Sequence, residues 1–363
     1  MDDPNAALPS DPTVDESYTK GSRPVRPRNR SVAPADTAGR SSRADSAPVT
    51  QRPARGRTPA PQANGEAPAG GPRPRRLTSD SWYRRKLARR LGGVATCLAL
   101  TMLISHVALS TAPGQVLDTI LMEGTMRSAS QYEAFSTLIT GIVSVPVMVV
   151  AGVVVALVAA ARRRPTLAGR ALGAVIGANI TTQILKDYIL TRPNLGVTTG
   201  AGNSLPSGHT TVAVTLSLAL IVVVPQWFRS PSAWIGWAWT SLMGVSVMME
   251  GWHRPSDVIT AALIAGAWAL ALSPIERRPR HGAQVQRVMV WVSLALIVIA
   301  LLATGAAMWG FSMSAASPGS GYGFEDFLQI RPWRSRVLGV AAVAWVSAVC
   351  GLVMHEVDRL AGE

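Results

Sequence analysis

An all-α fold, a polytopic membrane helical bundle, is what this 363-residue sequence predicts, on three grounds. Hydrophobic residues make up 48% of the chain and charged residues 15%, a low charged share for a domain surrounded by water. About eight apolar runs have the ~20-residue length that crosses a bilayer core. They are 91–112, 136–161, 167–190, 209–227, 233–250, 257–275, 287–311 and 337–357. The positive charges between them alternate as the positive-inside rule requires.

Residues 1–82 are rich in Pro, Arg, Ser, Ala and Gly with little to bury, and read as a disordered basic cytoplasmic tail. Residues 1–90 carry 18 Lys/Arg against 9 Asp/Glu, so most of the net charge of +14 lies there. No apolar run follows Met1, and the first membrane helix is expected to act as the targeting signal. The cluster Tyr83-Arg-Arg-Lys-Leu-Ala-Arg-Arg90 runs straight into that helix. It lacks the interleaved aromatics of a nucleic-acid surface and is expected to meet anionic lipid headgroups, with no nucleic-acid partner.

With both termini cytoplasmic, Arg162-Arg163-Arg164, Arg229, Glu276-Arg-Arg-Pro-Arg280 with Arg287, and Arg359 fall on the inner side. The outer side then holds 113–135, 191–208, 251–256 and 312–336, and only the last breaks the charge rule, through Arg331, Arg334 and Arg336. Cys97 and Cys350 lie within spans and read as core thiols. His106, His281 and His355 are solitary, and Trp227, Trp234, Trp237, Trp239 and Trp333 read as interface anchors or packing.

Three polar islands interrupt the apolar pattern, all at helix ends on the predicted outer face. The first is Lys186-Asp-Tyr-Ile-Leu-Thr-Arg-Pro193, the second Ser204-Leu-Pro-Ser-Gly-His209, the third Gly251-Trp-His-Arg-Pro-Ser-Asp257. Charged groups near membrane depth are costly and mark function. Lys186 and Arg192 form a plausible clamp for a phosphate. Ser207-Gly208-His209 precedes a helix, whose free N–H groups and positive dipole end suit an anion, and Gly208 lets backbone approach it. His253 and Asp257 are four apart, a helical spacing at which the carboxylate can hold one ring nitrogen and leave the other nucleophilic. Two histidines, a carboxylate and several cations fit phosphoryl transfer with no metal or other cofactor.

Lys186/Arg192-Pro193, Pro206-Ser207-Gly208-His209 and His253-x-x-x-Asp257 together resemble the three-part signature of the type 2 phosphatidic acid phosphatase (PAP2) superfamily. The resemblance covers roughly 130–275. It implies a PAP2-like six-helix core plus two extra C-terminal transmembrane helices, with 83–276 as the catalytic domain and 277–363 as the addition. It also implies that His253 attacks phosphorus to form a phosphohistidine, that Asp257 orients it, and that His209 protonates the departing oxygen. Lys186, Arg192, Ser207 and Gly208 would hold the phosphoryl oxygens.

Two departures stand out. Five residues separate Lys186 from Arg192-Pro193, where the family usually has six. The family's third motif usually begins Ser-Arg, and here those places are Ser246 and Val247. Arg254 is the candidate to replace the missing cation, and Glu250 is expected to point away from the phosphate or to pair with Arg254. The expected function is a membrane phosphatase acting on a lipid phosphate or diphosphate at the outer face. A lipid phosphotransferase of the same chemistry and a non-catalytic lipid-phosphate binder are the alternatives. A transporter is disfavoured by the absence of repeat symmetry. The identity of the lipid and the oligomeric state stay open at this level. Gly319-Ser-Gly-Tyr-Gly323 reads as a flexible loop able to cover the site.

Overall fold

Apolar runs too long for strands make helices, because a helix satisfies every backbone group within its own segment. The computed structural model describes residues 77–128, 133–142, 145–161, 163, 165–197, 202–274, 283–312 and 323–361, and among these there is no strand. The tail before residue 77, Arg162, Arg164, the charges at 276–280 and residues 319–322 of the expected covering loop lie outside them. In chain order the helices are α1 (Leu77–Ser110), α2 (Ala112–Ser128), α3 (Glu133–Ile142), α4 (Val145–Ala161), α5 (Pro165–Ile184), α6 (Gly208–Val223), α7 (Gln226–Met249), α8 (Pro255–Leu272), α9 (Ala283–Met308), α10 (Glu325–Ile330) and α11 (Trp333–Ala361). A π turn, Leu185–Ile189, extends α5.

Four helical stretches are long and apolar enough to cross a membrane: Ser81–Ser110, Pro255–Leu272, Gln284–Met308 and Trp333–Leu360, with α6 a shorter apolar helix. They mark the chain as a membrane protein. The expected span 136–161 is two helices, α3 and α4. Pro146 falls in the first turn of α4, where its fixed φ and missing N–H are tolerated. The expected Arg229 turn is absent: α7 starts at Gln226, and Arg229 is buried within it.

The largest departure is at 113–135, expected to be an outer loop between two spans. It contains α2, a helix whose Gln115, Asp118, Thr119 and Glu123 are all buried. Nor is the C-terminal part peripheral. The apolar window of α8 is 78% buried and that of α11 is 61% buried, whereas α1 and α9 stand at 22% and 17%. α11 therefore lies inside the bundle, packed against α2, α6, α7, α8 and α9.

Some of the charges find partners within the protein. Arg334, one of the three that break the charge rule, is buried; it donates to the Trp309 carbonyl at the end of α9 (3.0 Å) and lies 4.0 Å over the Phe327 ring. That makes it a helix cap. In the basic cluster, Arg89 makes a two-pronged bond to Glu356 of α11 (2.7 and 2.8 Å), and Lys86 sits 4.6 Å over Trp82. Arg84 and Arg85 remain exposed.

α2 meets α11 through a close approach at Gly124, where an added Cβ would lie 2.5 Å from Leu338 Cβ. Gly124→Val is expected to destabilise the protein by about 1–3 kcal/mol through overpacking. A thermal unfolding curve of the purified protein checks this, and an unchanged midpoint would mean that the two helices do not touch there.

Candidate active site

The three islands converge because the α6 and α8 starts are bonded to each other: Ser207 N–H donates to the Asp257 carbonyl at 3.0 Å. α8 begins with Arg254 as N-cap and Pro255 in its first turn. The Arg254 backbone N–H donates to Asp257 Oδ2 at 2.9 Å. That same oxygen accepts the Ser204 hydroxyl at 2.6 Å and lies 3.1 Å from His253 Nδ1. A carboxylate facing Nδ1 places the ring proton there, so the lone pair sits on Nε2. His253 and Asp257 are 6% and 2% exposed, a depth at which neither tolerates loss of its partner.

The approach to His253 is set by the end of α7. Gly251 takes the left-handed conformation (φ 68°), and the backbone N–H groups of Trp252 and His253 both donate to the Val247 carbonyl. The Val247 side chain is wholly buried among apolar groups. Glu250 turns away from the site, as one of the two expectations had it, and accepts the hydroxyls of Ser136 and Thr137 on α3.

Two guanidinium groups meet at Thr119 of α2. Arg192 Nη2 donates to Thr119 Oγ1 at 3.2 Å and Arg254 Nε to the same oxygen at 3.3 Å, while Arg254 Nη1 donates to Ser204 Oγ at 3.1 Å. Burial, and then the charge of Arg254, lower the proton affinity of Arg192, with Asp118 and Asp257 acting in the opposite sense. Two cations facing one neutral hydroxyl leave a local positive field suited to an anion.

His209, in the first turn of α6, has its ring 5.6 Å from that of Trp252 and within electrostatic reach of His253 and Lys186. Lys186 lies on the π turn, a local widening often found at functional sites. The carbonyls of Lys186, Leu190 and Leu205 all accept from the Asn203 side chain, which ties the first island to the second. A Cβ added to Gly208 would find only Gln183 Nε2, 3.6 Å away, so the space the glycine leaves open is not required by packing. The Ser207 hydroxyl is buried and caps α6 by accepting from Thr210 N–H at 3.3 Å.

Sequence reasoning missed α2. Gln115 Nε2 donates to the carbonyls of Leu109 (2.7 Å) and Pro193 (2.9 Å). The Asp118 carboxylate accepts Ser256 N–H at 2.9 Å and Ser256 Oγ–H at 2.6 Å. Burial, then the nearby Asp257, push the Asp118 carboxyl up to about 6, against the pull of Ser256 and Arg254. The signal was present as polar residues spaced i, i+3 and i+4 between Val116, Leu117, Ile120 and Leu121. Among the described residues, no group of three or more His, Cys, Asp or Glu is gathered to hold a metal ion.

No curated protein and no solved structure matches the chain. Residues 167–281, which carry all three islands, match the family model of the PAP2 superfamily, a match that supports membership of this superfamily and an activity of the phosphatase type.

Proposed function

We propose that the protein is an integral membrane phosphatase that hydrolyses a lipid phosphate or diphosphate monoester at the outer membrane face, through a phosphohistidine on His253. The observation that carries this reading is the buried Asp257 carboxylate on His253 Nδ1, next to the paired guanidiniums of Arg192 and Arg254. His253 Nε2 attacks phosphorus, and the bond from phosphorus to the lipid oxygen breaks. His209 gives that oxygen its proton. Water, deprotonated by His209, then attacks phosphorus and breaks the phosphorus–nitrogen bond, which frees phosphate and restores His253. From a monoester the other product is the lipid alcohol; from a diphosphate it is the lipid monophosphate.

Arg192, Arg254, Lys186 and the open backbone at Gly208 are placed to hold the phosphoryl oxygens. Arg254 takes the part of the arginine that the family carries at the place of Val247, since the Val247 side chain is enclosed in apolar packing. Ser207, whose hydroxyl caps α6, stands beside Gly208 at the same helix start. A lipid substrate is supported by an apolar slot of about 400 Å³ between α4, α6 and α7. Its lining includes Val212, Leu216 and Leu220 of α6, so it begins one turn below His209 and accepts a hydrocarbon tail while the headgroup stays at the site.

Purified protein in detergent is expected to release inorganic phosphate from at least one member of a panel of phosphatidic acid, phosphatidylglycerophosphate, polyprenyl phosphate and polyprenyl diphosphate. His253→Ala is expected to abolish that release. Equal, negligible release by both proteins would favour the non-catalytic binder, and phosphate passed to a lipid alcohol instead of water would favour the transferase.

The Arg254 side chain can be removed while its backbone N–H still caps Asp257. Arg254→Gln is therefore expected to lower kcat/KM by about 100-fold, near 3 kcal/mol of transition-state stabilisation, with a small change in unfolding midpoint. Steady-state kinetics checks it; a variant as fast as the native protein would remove Arg254 from the site.

A further inference from the structure

α2 lies before residue 167, outside the family-matched segment, and the roles assigned so far do not require it. Yet three successive side chains on one of its faces each engage a different part of the site. Gln115 holds the Pro193 carbonyl, next to Arg192. Asp118 takes both hydrogens that Ser256 offers, including the first backbone N–H available at the start of α8, since Pro255 has none. Thr119 accepts one bond from each of Arg192 and Arg254. The three are 2%, 7% and 0% exposed.

Packing alone does not account for this row. α2 docks on α11 through Gly124, which helical spacing puts on the side opposite Gln115, Asp118 and Thr119. Burying a carboxylate at Asp118 is costly, and a helix held only by apolar contacts would not need one. A hydroxyl oxygen has two lone pairs, so one threonine can accept from two guanidiniums and fix their separation without cancelling either charge.

We infer that α2 is a fourth element of the phosphate site, with Thr119 setting the spacing of the Arg192 and Arg254 guanidiniums and Asp118 fixing the α8 start that carries His253 and Asp257. Both are positioning residues. The inference rests on the phosphatase reading for its kinetic consequences, and on geometry alone for its consequence for anion binding. It makes the site a product of two regions of the chain, with the shape of the anion pocket decided by a helix that the three motifs do not contain.

The test compares the full-length protein with Thr119→Val, which keeps the shape and loses the acceptor, Thr119→Ser, which keeps the hydroxyl, and Asp118→Asn. Inorganic phosphate is the probe, read as the rise it causes in unfolding midpoint and as competitive inhibition of turnover. Thr119→Val is expected to weaken phosphate binding about tenfold or more, and Thr119→Ser to restore it to within about threefold of native, as loss and recovery of bonds to charged donors require. Asp118→Asn is expected to lower kcat about tenfold without weakening phosphate binding, because it loosens the α8 start and removes a negative charge from beside the two arginines.

Phosphate affinity unchanged in a folded Thr119→Val, or lost equally in Thr119→Ser, would overturn the inference, the second result pointing to packing. Should the native protein release no phosphate from any lipid yet bind phosphate in a Thr119-dependent way, the phosphatase reading falls and the role of Thr119 stands. Turnover in the native protein with identical kinetics and phosphate affinity in all three variants would leave the phosphatase reading standing and overturn the role given to α2.

Discussion

Asp257 buries a carboxylate at the first turn of a membrane-spanning helix, and the three donors that reach Oδ2 there come from His253, Ser204 and the Arg254 backbone. Hydrogen bonds to a charged group contribute about 1.5–3 kcal/mol each, and an unpartnered buried charge costs more than one such bond supplies. The carboxylate can stay at that depth only if all three approach it. Its need for partners thereby sets the proton on His253, closes the second island onto the third through Ser204, and caps α8. The Asp257 carbonyl adds the fourth link by accepting Ser207 N–H, which fixes where α6 starts and so where His209 stands.

The cations are arranged by the same logic of scarce partners. Arg192 and Arg254 come from segments far apart in the chain and share one hydroxyl, Thr119 Oγ1. Ser204 links the two halves, since its oxygen accepts from Arg254 while its proton goes to Asp257. A phosphoryl group entering such a place meets donors already oriented and needs little rearrangement, which is how positioned charge lowers a barrier in a site shielded from water. Val247, where the family places an arginine, contributes its carbonyl to the His253 backbone and its side chain to the apolar core.

Around this centre the bundle is built with α8 and α11 inside and α1 and α9 outside. α11 buttresses both α2 and α8, so the C-terminal helix supports the site although no side chain of it enters the polar cluster described above. The close approach at Gly124 lets α2 lie flat enough against α11 for its opposite face to reach Ser256 and the two arginines.

The sequence by itself determined that the chain is helical and membrane-bound, and it located the candidate site at Lys186/Arg192, Ser207 to His209 and His253 to Asp257. Those properties are local: the apolarity of a run, the spacing of a histidine and a carboxylate, and a serine or proline at a helix start can each be read within a few residues. The tertiary structure decided the rest. α2 is 17 residues long and interrupted by polar groups, so its pattern fell short of a span, and its partners lie 73 to 138 residues further on. Ser207 reads as an anion ligand from its neighbours in sequence, and the structure adds that its buried hydroxyl caps α6. α9 and α11 are similarly apolar, yet one is outer and one inner. Hydropathy cannot separate them, because lipid tails and a protein interior are equally apolar solvents, and the choice is made by how closely neighbouring helices fit.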